Sequence, residues 1–204
     1  MTKFDTIIYD LGNVLVQWDP RFVFDDKYFG SENEREYFFE HVCTADWNEQ
    51  QDAGRSIVEG TMELISKFPD WEPAIRDFYG RWAEMLRGPV PGAVEIFKEL
   101  KDTGRFKFYA LTNWNAHLFE IALVRYDFFH WFDGRVVSGE EKTRKPFPEF
   151  YQILLDRYQV DPSRAIFIDD SLRNIQAADK LGMNTIHFKD AMQLRQSLKH
   201  LEIL

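Results

Sequence analysis

The chain has 204 residues, 45% of them hydrophobic and 29% charged, with a formal net charge of −9 at pH 7. This composition is typical of a globular protein, and the length allows one domain with a sizeable core and a smaller inserted domain. The acidic balance disfavours nucleic acid and anionic membranes as main partners, since both attract basic patches, but a locally positive site can still bind a small anion.

The single cysteine, Cys43, excludes an intrachain disulfide and cannot form a metal site by itself. The first residues lack the basic and apolar regions of a secretory signal, and no apolar run is long enough to cross a bilayer. We therefore expect a soluble, cytoplasmic protein. The sequence leaves its oligomeric state open.

The first predicted element is a β-strand, the apolar run TIIYD that ends at Asp10. Residues from roughly 17 to 88 are then interpreted as helices only, and Ser56 with Glu59 matches the S-x-x-E pattern of a helix start. The flanking stretches VLVQW and RGPVPG are interpreted as linkers, the second because it is rich in Gly and Pro. We expect residues 17–88 to form a helical cap inserted into a core of residues 1–16 and 89–204.

After residue 88, short apolar runs alternate with segments of helical spacing. The predicted strands are FKFYALT near 109, AIFIDD near 167, NTIHF near 186 and, more weakly, GRVVS near 136; the predicted helices cover 91–104, 146–158, 171–182 and 190–201. Continuous hydrophobicity is typical of strands buried on both faces of a parallel sheet. The alternation predicts an α/β fold with a doubly wound parallel sheet.

Reactive or hydrogen-bonding side chains follow three of these strands: Asp10 after the first, Thr112 and Asn113 after the second, and the pair Asp169 and Asp170 after a third. Ligands of open parallel sheets bind at the carboxyl ends of the strands, so we expect these groups on one rim. Two acids after a buried strand would carry costly uncompensated charge, and Mg²⁺ bound by oxygen ligands would resolve this. The alternative is that Asp170 or Ser171 caps the next helix.

Two further groups are candidates for binding a phosphate. Lys145 precedes a proline that opens a predicted helix, and its ammonium group can neutralise a phosphate as a point charge. Thr112 can donate its hydroxyl to a phosphate oxygen, and Asn113 can donate its backbone N–H.

Taken in order, these stretches resemble the haloacid dehalogenase (HAD) superfamily. DLGNV at 10–14 is similar to its first motif, D-x-D-x-[TV]; the second, third and fourth are matched by Thr112 in ALTN, Lys145 in RKPFPEFY and FIDDSLRNI. The resemblance covers the whole chain, since the helical insert matches the cap that one subgroup carries after the first motif. It implies a Rossmann-like core.

The resemblance also implies roles for the candidate residues. Asp10 would be the nucleophile, Thr112 and Lys145 would hold the transferring phosphoryl group, and Asp10, the carbonyl of Gly12 and Asp170 would bind Mg²⁺, with Asp169 in contact directly or through water. The implied activity is hydrolysis of a small phosphate monoester, and some members with a D-x-G-N-V motif resemble sugar-phosphate phosphatases.

Gly12 is where the sequence departs from the usual motif. The second Asp of that motif protonates the leaving group and activates water, and glycine can do neither. Losing a general acid–base group typically lowers the rate by about two to four orders of magnitude. A water molecule, the environment of the leaving oxygen or a cap residue could take over the proton transfer.

Two other functions stay open at this point. One is a metal-independent 2-haloacid dehalogenase, in which Asp10 displaces halide, and the other is a weakly active or non-catalytic binding protein. The cap would set substrate identity, and the residues that could face the pocket are Trp18, His41, Asp46, Trp47, Asn48, Asp52, Arg55, Trp114 and Asn115.

Overall fold

A five-stranded parallel sheet organises the chain in the computed structural model, which describes residues 3–204. The strands are β1 (Thr6–Tyr9), β2 (Val16–Trp18), β3 (Leu86–Pro89), β4 (Lys107–Thr112), β5 (Gly134–Val137), β6 (Ala165–Asp169) and β7 (Asn184–His187). The parallel sheet has the order β5-β4-β1-β6-β7, and Ile8 of β1 pairs with Tyr109 of β4 and Phe167 of β6. This confirms the predicted α/β fold class and its parallel sheet.

Helices form most of the remaining structure. The α-helices are α1 (Asp26–Phe29), α2 (Glu32–Tyr37), α3 (Ala45–Asp52), α4 (Ile57–Lys67), α5 (Glu72–Gly80), α6 (Ala93–Asp102), α7 (Ala116–Arg125), α8 (Ser138–Glu141), α9 (Pro148–Tyr158), α10 (Leu172–Lys180) and α11 (Ala191–His200). Short 3-10 turns lie at Pro20–Phe22, Pro69–Trp71, Trp82–Met85, Asp127–Trp131 and Pro162–Arg164, and Phe38–Val42 forms a π-helical turn.

The central strands are apolar on both faces because both faces of the sheet are covered. Ile7 and Tyr9 belong to one buried cluster, which includes Phe97 of α6, whereas Ile8 belongs to a second cluster with Phe150 of α9. Side chains alternate across a strand, so a strand between two such clusters must be apolar at every position. The continuous runs in the sequence have this cause.

The segment between the predicted linkers differs from the expectation at its ends. β2 and β3 pair as a short antiparallel ribbon, in which Val16 lies opposite Pro89 and Trp18 opposite Leu86. The prediction of helices only was therefore wrong at these ends, because the linkers pair with each other. The domain boundaries at 16/17 and 88/89 stay a prediction, and residues 1 and 2 of the predicted core lie outside the described residues.

Three helices were not predicted from the sequence: the four-residue α8 and the longer helices α3 and α7. α3 and α7 each start with a side-chain cap: Thr44 accepts a hydrogen bond from the N–H of Trp47 at 3.1 Å, and Asn115 accepts from that of His117 at 3.1 Å. Such caps satisfy N–H groups that have no partner inside the helix. The predicted start at Ser56 is confirmed, since its hydroxyl accepts from the N–H of Glu59 at 3.3 Å.

Among residues 3–204, no helix combines the length and the apolar character that a bilayer crossing requires.

A substitution at Phe97 tests the packing that holds α6 to the sheet. Its ring is fully buried and lies 5.3 Å from that of Tyr9, 5.2 Å from that of Phe108 and 4.7 Å from that of Phe132, measured between centroids. We expect Phe97→Ala to lower the free energy of unfolding by about 3–5 kcal/mol, because it removes apolar burial and leaves a cavity. Urea unfolding measures this. Val124→Ala, at a site that is 87% exposed, should change it by less than about 0.5 kcal/mol, and equal effects of the two variants would contradict the prediction.

Candidate active site

The sheet order places the candidate residues at one edge. β4 and β5 are added on one side of β1 and β6 and β7 on the other, so the strand order reverses beside β1 and a crevice opens at the carboxyl ends of the strands. The N–H of Asp10 donates to the carbonyl of Ile168 at 2.8 Å, which holds Asp10 beside the end of β6. Asp169 is the last residue of β6 and Thr112 the last of β4.

A buried ion cluster lies at this edge. The Lys145 Nζ atom is 2.9 Å from Asp10 Oδ1 and 2.7 Å from Asp169 Oδ2. Lys145 and Asp169 are completely buried and Asp10 is 8% exposed. Buried charges of this kind require close partners, because each loses its hydration. The structure thus brings together three residues that are far apart in the sequence.

Asp169 uses both carboxylate oxygens inside the protein. It accepts from the N–H of Ser171 at 2.8 Å, and the Asn174 amide donates to its two oxygens at 3.0 and 3.1 Å. Asn174 lies in the fourth sequence motif but was missed as a site residue, because an Asn within a helical stretch gives no distinct signal. Ser171 takes the N-cap position of α10 but makes no side-chain cap bond to the described residues.

The three acids Asp10, Asp169 and Asp170 could hold a metal ion. One carboxylate oxygen from each lies within 4.8 Å of the others. Asp10 and Asp170 also line the open cleft, whereas Asp169 is enclosed. A cluster of hard oxygen ligands with an open side suits Mg²⁺, which keeps part of its coordination for water and substrate.

The ionisation of the cluster follows from burial and charge. Burial raises the pKa of Asp10 to about 7, with Lys145 lowering it and Asp169 and Asp170 raising it. Burial also raises the pKa of Asp170, and Asp169 adds to this effect. Burial alone would lower the pKa of Lys145, but Asp10 and Asp169 outweigh it and hold that pKa above its usual value. Lys145 therefore stays charged, and the surplus of acids favours a bound cation.

Thr112 and Asn113 differ in what they can offer a ligand. Thr112 is 1% exposed, and its hydroxyl has no hydrogen-bond partner among residues 3–204. The side chain of Asn113 instead holds the backbone of Lys145, accepting from its N–H at 2.8 Å and donating to its carbonyl at 3.0 Å. Asn113 thus positions Lys145, a role that the sequence did not indicate.

A cleft of about 600 Å³ opens above the ion cluster. From the sheet edge it is lined by Asp10, Gly12, Asn113 and Asp170. Beside it lies a smaller pocket of about 80 Å³, lined by Gly12, Trp18, Asn48, Asp52, Trp82, Asn113 and Trp114. Gly12 borders both cavities, and a Cβ atom built there would meet no non-neighbouring atom of the described chain within 4 Å. The position of the missing acid is therefore open space.

The cap candidates divide into two groups. Trp18, Asn48, Asp52 and Trp114 line the small pocket. The other candidates do not line it. His41 and Asp46 are exposed, and Arg55 pairs with Glu63. Trp47 is buried and donates to the carbonyl of Gly60 at 3.2 Å, and Asn115 caps α7 and donates to the carbonyl of Gln51 at 3.1 Å. None of these five candidates lines either cavity.

Asp52 is held by a chain of hydrogen bonds. The Asn48 amide donates to Asp52 Oδ2 at 3.0 Å, and the Tyr79 hydroxyl donates to Asn48 Oδ1 at 2.9 Å. The buried Ser138 hydroxyl donates to the backbone carbonyl of Asp52 at 2.5 Å and accepts from the N–H of Trp114 at 2.8 Å. This joins the end of α3 to the loop after β4. Ser138 was not among the site residues predicted from the sequence.

Ion pairs also join α3 to residues beside the ion cluster. Glu49 lies 2.8 Å from Arg144, the neighbour of Lys145, and pairs with Arg173 of α10. Glu49 is 14% and Arg144 17% exposed at the side chain, so solvent screens this pair less than a surface pair. These contacts hold α3 over the cleft.

The sequence comparison identifies the family. Residues 4–182 match the model of the haloacid dehalogenase-like hydrolases. The chain belongs to this family. The resemblance inferred from the four motifs is confirmed, and with it the class of hydrolase.

Individual relatives extend this finding. The chain is 28% identical to the sesquiterpene phosphatase astK of Aspergillus oryzae, with 96% of this chain and 97% of that protein covered. It is 23% identical to a phosphorylated carbohydrates phosphatase of Thermotoga maritima, with 90% and 84% covered. A HAD family enzyme of Bacteroides thetaiotaomicron, solved with magnesium and inorganic phosphate, has the same fold, with a TM-score of 0.67, 22% identity and coverage of 92% of this chain and 95% of that one.

The ionisation of Asp52 gives a prediction for stability. Burial raises its pKa from 3.8 to about 7, with the N–H of Asn115 and the charge of Arg144 acting against the shift and Glu49 adding to it. Between these values the folded protein keeps a proton that the unfolded chain has lost, so the contribution of Asp52 to stability falls as pH rises. We expect the wild type, relative to Asp52→Asn, to lose about 1–2 kcal/mol of unfolding free energy between about pH 5 and pH 8. Urea unfolding at both pH values measures this, and a difference that does not vary with pH would contradict it.

Proposed function

We propose that the chain is a Mg²⁺-dependent phosphatase that hydrolyses a small phosphate monoester through an aspartyl-phosphate on Asp10. The observation that carries this proposal is the buried cluster of Asp10, Lys145 and Asp169, which opens beside Asp170 into a cleft. A carboxylate nucleophile, a buried cation and a metal-ligating acid are the groups that phosphoryl transfer requires in one place.

Asp10 is suited to nucleophilic attack. Its Oδ1 atom accepts from the N–H of Leu11 at 2.8 Å and lies 2.9 Å from Lys145 Nζ. Both contacts hold Oδ1, and Oδ2 makes no hydrogen bond to the described protein atoms. The attacking oxygen is thereby oriented before substrate binds, which lowers the entropic part of the barrier.

Lys145 and Thr112 would bind the transferring phosphoryl group. Lys145 carries a fixed positive charge in a site where little water screens it, so its stabilisation of a developing negative charge is strong. The buried Thr112 hydroxyl has no protein partner in the described chain, and a phosphate oxygen would satisfy it. Asp169 and Asn113 act through Lys145, one on its ammonium group and the other on its backbone.

Asp10, the Gly12 carbonyl and Asp170 would hold Mg²⁺, and the short distances within the acidic cluster support this. When bound, the ion neutralises charge on the phosphoryl oxygens and favours the ionised form of Asp10. Asp169 is occupied by Lys145, Ser171 and Asn174, so we assign it to positioning. The magnesium and phosphate complex of the Bacteroides enzyme is consistent with this proposal.

The lining of the small pocket suits the hydroxyl-bearing leaving group of a sugar phosphate. Carboxylate and amide groups from Asp52, Asn48 and Asn113 can bond to hydroxyl groups, and the indoles of Trp18, Trp82 and Trp114 supply flat apolar surface. The indole N–H groups of Trp18 and Trp114 have no acceptor within residues 3–204. Unpartnered donors around aromatic rings favour a compact leaving group with hydroxyls, and the name of the Thermotoga relative agrees with this.

The test is phosphate release from an aryl phosphate and a panel of sugar phosphates, with Mg²⁺ and with EDTA. We expect EDTA to abolish release, and Asp10→Asn to lower kcat by about 10³-fold or more, because the nucleophile is removed. Asp127→Asn makes the same chemical change at an exposed residue outside the cleft and should keep wild-type rates.

Other results would point to the alternative functions. Mg²⁺ binding without phosphate release from any substrate would favour a binding protein. Metal-independent release of chloride from a 2-chloroacid would favour a dehalogenase. Either result would refute the phosphatase.

A further inference from the structure

We propose that Asp52, at the end of α3, supplies the general acid and base that glycine at position 12 cannot provide. This inference rests on the proposed phosphatase function. A leaving alkoxide needs a proton, and an aspartyl-phosphate needs a base to activate water. No side chain at Gly12 can do either, so another group near the reacting phosphorus must.

The placement of Asp52 relative to the two cavities is the first support. Asp52 lines the large cleft together with Asp10, and it lines the small pocket together with Gly12. Among the described residues, it is the only acid that borders both cavities. A substrate with its phosphate on Asp10 and its leaving group in the small pocket would have its bridging oxygen between the two.

Asp10 and Asp170 already have roles in the proposed mechanism, and the four remaining acids that line the cleft with Asp52 either form contacts of their own or are exposed to solvent. Glu49 pairs with Arg144 and Arg173, and Glu36 pairs with Arg21 and Arg35. Asp19 caps a turn by accepting from the N–H of Arg21, and the Glu40 side chain is 68% exposed. Asp52 instead makes no ion pair with any residue from 3 to 204, and the Asn48 amide is the donor to its Oδ2.

The surroundings of Asp52 also suit proton exchange. Asn48 donates to Oδ2, Ser138 donates to the backbone carbonyl, and the N–H of Asn115 also acts on the carboxyl group. Oδ1 accepts no side-chain hydrogen bond from residues 3–204, so it can accept one from a ligand. The charged groups acting on Asp52 are Glu49 on its own helix and Arg144 from the loop before α9, and Tyr79 is the titratable group that faces it from α5. A pKa of about 7 gives Asp52 both protonation states near neutral pH, as a group that alternates between acid and base requires.

The two steps balance in protons and electrons. In the first, Asp10 attacks phosphorus, the bond from phosphorus to the leaving oxygen breaks, and protonated Asp52 gives its proton to that oxygen, releasing the alcohol. In the second, the Asp52 carboxylate takes a proton from water as the water oxygen attacks phosphorus. The bond from phosphorus to Asp10 breaks, which releases inorganic phosphate and restores both side chains.

The experiment compares leaving groups. A nitrophenolate leaves without much protonation, whereas the alkoxide of an alkyl phosphate does not. We expect Asp52→Asn to slow single-turnover cleavage of an alkyl phosphate by about 10²–10⁴-fold, and that of 4-nitrophenyl phosphate by less than about tenfold. Because the second step also loses its base, the variant should show a stoichiometric burst of nitrophenolate followed by slow turnover.

Two further variants sharpen the comparison. Asp46→Asn makes the same change on the exposed face of α3, outside both cavities, and should behave as the wild type. Adding Gly12→Asp to Asp52→Asn should restore alkyl phosphate cleavage at least tenfold, because the space at residue 12 accepts a side chain. A structural defect at residue 52 would not be rescued in this way.

The outcomes separate the two proposals. If the wild type shows no phosphate release that depends on Asp10, both the phosphatase function and the role of Asp52 are overturned. An active wild type whose Asp52→Asn variant loses alkyl and aryl substrates equally, or neither, would overturn the role of Asp52 alone. If the variants do not fold, the wild type still decides: a single-turnover rate that falls steeply with the pKa of the leaving alcohol would show that no general acid operates.

Discussion

The burial of one lysine ammonium group between two carboxylates is the constraint on which the site depends. Lys145 Nζ lies within 2.9 Å of both Asp10 and Asp169, and none of the three is stable at this depth without the others. β1 must therefore end beside β6, and the loop before α9 must return to both strands. Asn113 and Asn174 complete the arrangement by holding the backbone of Lys145 and the carboxylate of Asp169.

The ion cluster lies at the sheet edge, but the residues that enclose the substrate space come from both sides. α3 reaches this edge through Glu49, which pairs with Arg144 and Arg173, and through the carbonyl of Asp52, which accepts from Ser138. In the proposed mechanism, the sheet edge would provide the nucleophile and neutralise charge, while α3 would shape the space for the leaving group. A family that keeps one core chemistry can change substrates by changing such a segment.

The sequence predicted the parts of the molecule that local patterns specify. A strand covered on both faces must be apolar throughout, so the strands of the sheet could be recognised, and polar residues directly after β1, β4 and β6 could be placed on one rim. α3 was missed because its Thr44 cap and its mixed polar composition give a weak periodic signal. The pairing of β2 with β3 was missed because three- and four-residue strands carry too little pattern to be distinguished from linkers.

By itself, the sequence determined the α/β class, the family and the candidates Asp10, Thr112, Lys145, Asp169 and Asp170, because these follow from short motifs attached to predictable strands. Only the tertiary structure decided which acids face the cleft, that Asn174 and Ser138 hold the site together, and that Asp52 borders the open space at Gly12. The physical reason is that most of these relations join residues far apart in the chain; Ser138 and Asp52, for example, are 86 positions apart. Contacts at such separations leave no periodic or local trace in the chain and are set by packing alone.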